Sequence, residues 1–339
     1  MEREMSGIKN RLSPELENIL QIRYVKLHFT LEILEDGILP RNKASALRGG
    51  MGRMLLMQNC IRDENCEICD FREDCLVQRM MYPEMKLRPG FMKEKGQDSE
   101  GYVVECEDYE ERFLAGDPLE FNLVLFGRSI IYFTQFAQAF HYLGLQGLGK
   151  NHVLFAVRSV TNSRRQIVID GSNIYKGRLH IMHVADYVRY RLFSRKSDNW
   201  SRQGFSSGSE RGTLIFHSPL SLKYRGEMQK EFWPEAVLAA VERRLYILNC
   251  FEGRQEGEDF ERINIREHVP RLVDQRVYTD RVDRYSGTHD RKVSFYGIRG
   301  SCRLEDIDEI SHILLTAGEL VHIGKNTSFG FGRYTLVKR

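Results

Sequence analysis

LEFNLVLFGRSIIYFTQFAQAFHYLGLQGLGKNHVLFAVRSV (Leu119–Val160) carries the reading of the fold. Leu119–Phe126 (LEFNLVLF) is a short run of apolar and β-favouring residues with partial alternation, which predicts a strand. Ser129–Leu143 (SIIYFTQFAQAFHYL) has apolar residues at helical spacing, and the glycine-broken turn GLQGLGKN ends it. His152–Val160 (HVLFAVRSV) reads as the next strand. A strand, a helix and a returning strand form one half of a larger unit.

Working outward, Gln21–Ile33 (QIRYVKLHFTLEI) alternates apolar and polar residues, as a half-buried strand does. Ala44–Asn59 (ASALRGGMGRMLLMQN) has helical spacing, interrupted by glycines, and Gly101–Cys106 is a further strand. The order is β-α-β-β-α-β, the split βαβ arrangement of ferredoxin-like folds. The same order recurs downstream. Thr213–Leu222 is a strand and Pro234–Asn249 a helix with proline in its first turn. Strands at 276–282 and Lys292–Arg303, a helix at Glu305–Leu315 and a last strand at Arg333–Val337 complete it. The expected fold class is α+β, with tandem ferredoxin-like (βαββαβ) domains. Residues 20–160 form the first domain, with a cysteine insertion at about 60–75. Residues 161–211 form a basic and aromatic connector, and 212–339 the second domain, with a glycine-rich loop at 318–332.

The bounds agree with this reading. The 339 residues suffice for two cores, and 42% hydrophobic with 29% charged residues is the balance of a globular protein. No run of about 18 apolar residues appears, so no ordinary transmembrane helix and no membrane association are expected. The first twenty residues lack the apolar core of a signal peptide, so a cytoplasmic location is expected.

A net charge of +3 identifies no partner, but its distribution is uneven. Ten Lys or Arg residues lie between Arg158 and Arg202, Arg164, Arg165, Arg189 and Arg191 among them, against Asp170, Asp186 and Asp198. Tyr175, Tyr187, Tyr190, Phe193 and Trp200 are interleaved with them. Cations for phosphates alternating with rings for bases suit a single-stranded or looped RNA, although a solvated connector has the same composition. In the C-terminal loop, Gly324, Gly330 and Gly332 leave backbone N–H groups open to phosphate oxygens. Lys325 and Arg333 add charge there, and Asn326, Thr327 and Ser328 add polar groups. A tight helix-to-strand connection would also use these glycines.

Cys60, Cys66, Cys69 and Cys75 are separated by five, two and five residues. In a reducing compartment such a cluster points to a tetrahedral thiolate site, most simply structural zinc, with an iron–sulfur cluster or free thiols as the other readings. Cys106, Cys250 and Cys302 read as core residues.

Several of these segments together resemble the CRISPR-associated endoribonucleases that process precursor repeat RNA, members of the RAMP superfamily. ALRGGMGRML (Ala46–Leu55) resembles the first-helix pattern of that family. Cys60 through Cys75, followed by Tyr82 and Glu84, resembles the cysteine insertion of one branch. GLGKNHVLFAVRSV (Gly147–Val160) and RYSGTHDRKVSFYGIRGSC (Arg284–Cys302) are similar to other segments of that branch. HIGKNTSFGFGRY (His322–Tyr334) resembles the glycine-rich signature of the superfamily. The resemblance implies an RRM-like tandem architecture and metal-independent cleavage within CRISPR repeats. In that reaction a ribose 2′-OH attacks the adjacent phosphorus and leaves a 2′,3′-cyclic phosphate. It implies guide RNA as product, CRISPR repeat RNA as partner, and either effector subunits or a second copy as further partners.

Relatives often place a histidine near the start of the first helix. PRNKASALRGG offers Arg41, Lys43 and Arg48 instead. These three and His322, which borders the glycine loop, are the expected catalytic residues, with His289 the second choice of histidine. Gly324, Lys325, Ser328, Gly330, Gly332 and Arg333 are the expected phosphate contacts. His28 and His217 read as strand residues, and His141 and His312 as helix residues, with structural roles. Two readings from other classes stand beside the enzyme: a non-catalytic RAMP subunit that cradles guide RNA, and a metal or redox protein centred on the four cysteines.

Overall fold

A computed structural model describes residues 12–66, 68–82, 101–193, 210–254, 261–286 and 291–338. The first unit runs α1 (Pro14–Ile19), β1 (Arg23–Ile33), α2 (Lys43–Asn59), α3 (Leu76–Met81), β2 (Tyr102–Glu105), β3 (Pro118–Phe126), α4 (Phe133–Gln146) and β4 (Phe155–Thr161). Its four main strands pair antiparallel in the order β2-β3-β1-β4. β1 explains the layering. Leu27, Phe29, Leu31 and Ile33 are buried beneath the helices, while Lys26, His28, Thr30 and Glu32 alternate onto the other, open face.

The second unit repeats the plan with β8 (Glu210–Leu220), α6 (Pro234–Glu252), β9 (Arg271–Ser286), β10 (Arg291–Ile307), α7 (Glu309–Val321) and β11 (Tyr334–Lys338). Its sheet order, β9-β10-β8-β11, is the same as that of the first unit. Both are ferredoxin-like, so the α+β tandem architecture holds. The last helix begins at Glu309, not Glu305, because Leu304 and Ile307 stay in β10 and Asp308 caps the helix, accepting from the Ser311 N–H at 2.8 Å. The apolar stretch after β3 opens as a 3-10 turn, Gly127–Tyr132, before α4.

The expected connector is folded over most of its described part. β5 (Ile167–Asp170) and β6 (Asn173–Ile174) extend the first sheet beyond β4, and β7 (Met182–His183) pairs with β1. α5 (Val184–Phe193) then packs on α7 of the second unit. Within residues 161–193 a folded outgrowth and a helical clasp therefore replace a loose linker, and the remaining connector residues before 210 lie outside the described ones. Composition could not show this, because charged residues on a helix whose other face is covered look like a solvated linker.

The clasp is electrostatic at its centre. Glu319 of α7 is buried and accepts from Arg191 Nε at 2.8 Å and Arg191 Nη2 at 2.9 Å. It also accepts from Tyr187 Oη at 2.9 Å and from the Leu336 N–H at 2.6 Å. Donating to Glu319 raises the Arg191 pKa above its ordinary value. One continuous core joins the units, with Ile19, Tyr24, Phe126 and Val188 packed together with Val241, Leu314 and Leu320. Arg191→Ala strands the Glu319 carboxylate in that core, so it is expected to cost about 3–5 kcal/mol of stability. Urea denaturation of the folded chain checks this, and a loss within error of zero refutes the clasp.

Candidate functional site: the seam between the two units

Asn42 caps α2, its side chain accepting from the Ser45 N–H at 3.0 Å. Lys43, expected to be catalytic, is fully buried. Its Nζ donates to the Asp108 carbonyl and Oδ1, both at 3.2 Å, and to the Glu110 carbonyl, and it lies over the Phe113 ring. Arg48 is also buried, with its guanidinium stacked 4.4 Å from the ring centroid of Phe329 in the glycine-rich loop. Of the three cations expected around the first helix, Arg41 is the exposed one.

The glycine-rich loop is packed at close quarters. A Cβ on Gly330 would lie 2.7 Å from the Val104 carbonyl of β2 and 3.0 Å from Ala44 Cβ of α2. One on Gly332 would lie 1.8 Å from the Ile323 carbonyl. Gly330 and Gly332 also have positive φ, 81° and 71°. Much of the loop's backbone is used internally. Lys325 N–H donates to the Ser221 carbonyl at 2.7 Å, Gly332 N–H to the Pro219 carbonyl at 3.0 Å, and Gly330 N–H to the Thr327 carbonyl at 2.9 Å. The loop therefore acts first as a joint between the units. Thr327 and Ser328 are buried in it, Lys325 is exposed, and Phe329 and Phe331 pack against Val282 and Phe295 of β9 and β10.

His322 ends α7 with φ 55° and is fully buried. Its Nδ1 faces the Phe331 carbonyl at 3.0 Å and its Nε2 faces Glu105 Oε1 at 3.1 Å, across the seam. Burial lowers its pKa, although Glu105 and the Phe331 carbonyl pull the other way. A ring sealed on both nitrogens cannot reach an RNA in this arrangement, so His322 ties the units together. Glu105 also accepts from Lys26 Nζ at 2.7 Å and Asn122 Nδ2 at 3.1 Å. Burial alone would raise its pKa, but Lys26, His322 and Arg333 outweigh burial and hold the carboxyl well below the usual range.

Beside this pair the open face of the first sheet meets the second unit in a cleft of about 360 Å³, bordered by His28, Glu105, Glu107, Glu120, Asn122 and Arg333. His28 is half-exposed there. Its Nδ1 lies 3.0 Å from Asn122 Oδ1 and its Nε2 3.5 Å from Glu120 Oε2. Arg333 pairs with Glu107 and carries one of the two charges that depress His217, burial being the larger cause. Sequence reading missed His28, Asn122 and Glu120 as site residues. The signal lay in QIRYVKLHFTLEI, whose alternation puts His28 on the face opposite the core.

The remaining expected residues are scattered. Arg164 and Arg165 are exposed on a turn of the sheet extension, Arg165 at φ 59°. Arg189 pairs with Glu17 and with Asp186 at 3.4 Å, and Arg191 is the clasp described above. Glu84 and His289 lie outside the described residues. Cys60, Cys66, Cys69 and Cys75 are free thiols. Burial raises the Cys66 pKa, and Cys75, Cys60 and Cys69 raise it further. Among the described residues, however, no group of three or more His, Cys, Asp or Glu side chains is disposed to hold a metal. Nor is any described helix long and apolar enough to cross a membrane.

Comparison with known proteins adds the following. Residues 214–334 match the family described as CRISPR-associated endoribonuclease Cas6, and residues 20–185 match a family described as an N-terminal domain. No curated protein matches the chain. Among solved structures, a chain of a partial Cas6-RT-Cas1–Cas2 complex is 12% identical with a TM-score of 0.54, covering 95% of this chain and 47% of that one. A chain of the Cas6-RT-Cas1–Cas2 complex has the same identity, 12%, and the same TM-score, 0.54, over 95% of this chain and 30% of that one. A Thermus thermophilus Cas6 is 11% identical with a TM-score of 0.48, covering 93% of this chain and 99% of that one. The chain thus spans less than half the length of the first two structures it matches.

The seam has a measurable consequence. Glu105 is held as a carboxylate below its ordinary pKa of 4.5, so the stability it contributes is present above that pH and is lost as pH falls through its folded value. Glu105→Gln is expected to lower stability by about 3–5 kcal/mol at neutral pH and to flatten the acid limb of the stability–pH curve. Thermal melts across that range check it, and an unchanged acid limb contradicts the assignment.

Proposed function

We propose that this chain, which carries a Cas6-family domain over residues 214–334, is the endoribonuclease that cleaves CRISPR precursor RNA within its repeats. The observation that carries the reading at the level of chemistry is the cleft between the units, which half-exposed His28 and Arg333 both line. Cleavage by 2′-OH attack needs a proton acceptor for the 2′-oxygen and a cation for the charged phosphorane. His28 is suited to the first role, because donation from Nδ1 to Asn122 Oδ1 leaves Nε2 as the basic nitrogen. Glu120, 3.5 Å from Nε2, supports the imidazolium once it forms. Arg333 is suited to the second role. The 2′-oxygen bonds to phosphorus and the bond to the 5′-oxygen breaks. The proton taken by His28 is balanced by one that solvent water delivers to the departing 5′-oxygen. The products are a 2′,3′-cyclic phosphate and a 5′-hydroxyl. Lys43, Arg48 and His322 then serve the site indirectly, by holding α2, the glycine-rich loop and β2 together.

Cleavage of a labelled cognate repeat RNA in EDTA tests this. His28→Ala is expected to slow cutting about 10²–10⁴-fold with RNA binding retained, and a 2′-deoxy sugar at the cut site to abolish it. Cutting that needs added metal, or a His28→Ala variant as fast as wild type, overturns the mechanism. Tight binding without cutting by the wild type favours a guide-RNA-cradling subunit instead.

Structural zinc at Cys60, Cys66, Cys69 and Cys75 is a separate proposal, supported by the spacing of four free cysteines in one short segment. Metal analysis of the purified chain decides it: stoichiometric zinc lost on Cys66→Ser sustains it, and metal-free folded protein removes it.

A further inference from the structure

On the open face of the second sheet the strand register sets side chains in rows. Asp274 of β9, Arg303 of β10 and Thr213 of β8 are cross-strand neighbours, and Arg276, Ser301 and Ile215 form the next row. Between the rows lies a hollow of about 190 Å³ lined by Thr213, Asp274, Arg276, Ser301 and Arg303. Two of its polar atoms lack a partner in the protein. Thr213 Oγ1 and Arg303 Nε are buried without a hydrogen-bond partner. Arg303 is held only loosely, by Asp274 Oδ2 at 3.7 Å from its Nη2, and Arg276 makes no ion pair among the described residues. Two guanidinium groups and two hydroxyls thus converge on one small space, a donor set matched to the oxygens of a phosphate. Asp274 is the one opposing charge in the lining, and it faces Arg303 Nη2 at 3.7 Å rather than the unpartnered Nε.

The same face continues from the hollow towards the cleft. Tyr278 follows Arg276 on β9, is 58% exposed and stands opposite Arg299. Arg299 lies over the Tyr109 ring at 5.0 Å, and Tyr109 Oη donates to the His217 carbonyl at 2.9 Å. The His217 N–H in turn donates to the Arg333 carbonyl at 3.0 Å, at the wall of the cleft. The hollow, an exposed ring and then the cleft lie in sequence along one surface, an arrangement that suits a single strand whose backbone and base are both held.

We propose that the hollow binds a backbone phosphate of single-stranded RNA, with an adjacent base stacked on Tyr278, so that the flank of the repeat is anchored while the cut site lies in the cleft. This rests on the endoribonuclease reading above. Neither Arg276 nor Tyr278 belongs to the seam that holds the units together.

The test is binding of a labelled repeat RNA, made uncleavable by a 2′-deoxy sugar at its cut site, over a range of salt. Arg276→Ala is expected to weaken binding about tenfold and to reduce the slope of log affinity against log salt by about 0.7, the value for one single-strand phosphate. Tyr278→Ala is expected to weaken binding about tenfold without changing that slope. Thr213→Val, which leaves all charges in place, is expected to weaken binding to a lesser degree. Variants that melt like wild type yet bind RNA with unchanged affinity and slope overturn the proposal while leaving the cleavage reading intact. So does a hollow that takes inorganic phosphate, seen as an Arg276-dependent rise in melting temperature, without any Arg276 dependence of RNA binding. Absence of RNA binding by the wild type removes both readings.

Discussion

Burying the Glu105 carboxylate where the two units meet constrains most of what surrounds it. A charge with almost no solvent access is tolerable only when donors surround it, and here they come from both sides: Lys26 and Asn122 from the first sheet, His322 from the end of the last helix. Because His322 must present Nε2 to that carboxylate, α7 ends at a positive φ and the chain turns at once into the glycine-rich loop. That loop must in turn pass within contact of β2 and α2 at Gly330 and of the Ile323 backbone at Gly332, distances that admit glycine and little else. The relative placement of the two sheets follows from these contacts together with the Arg191–Glu319 clasp in the last turn of α7.

With the helices and the loop committed to the seam, the surfaces left over are the open faces of the two sheets. In the first unit the open face carries His28, Glu120 and Asn122. In the second it carries Arg276, Ser301, Arg303 and Tyr278. This division of labour places ionisable and aromatic side chains on strands, whose period of two exposes every second residue along a straight line. It also separates residues that keep the architecture from residues free to meet a ligand. Lys43 and His322 belong to the first class by burial, and His28 and Arg276 to the second by exposure.

The segment between the units shows how composition can mislead. Its arginines and aromatic residues suit a nucleic-acid tether. Yet Tyr187 and Arg191 turn towards a single buried carboxylate, while Arg164 and Arg165 stay on an exposed turn of a sheet extension. Charge density along a sequence reports which side chains are available, and their pairing depends on what the fold brings opposite them.

Local chemistry was readable directly from the chain. The alternation of QIRYVKLHFTLEI, the apolar spacing of SIIYFTQFAQAFHYL and the proline that opens α6 determine where strands and helices form. The βαββαβ order repeated twice limits the sheet to few topologies, because helix and strand periods and turn residues act over a few positions. What those elements meet across space could not be read that way. The contact between His322 and Glu105 spans 217 residues, and the one between Arg191 and Glu319 spans 128. The glycines at 330 and 332 look alike in the sequence whether they cradle a phosphate or admit a neighbouring backbone. Likewise a histidine in a strand looks structural until the opposite face proves to be a cleft. Those outcomes belong to tertiary structure, since burial and hydrogen-bond partnership are properties of pairs of distant segments, and only folding decides which segments become pairs.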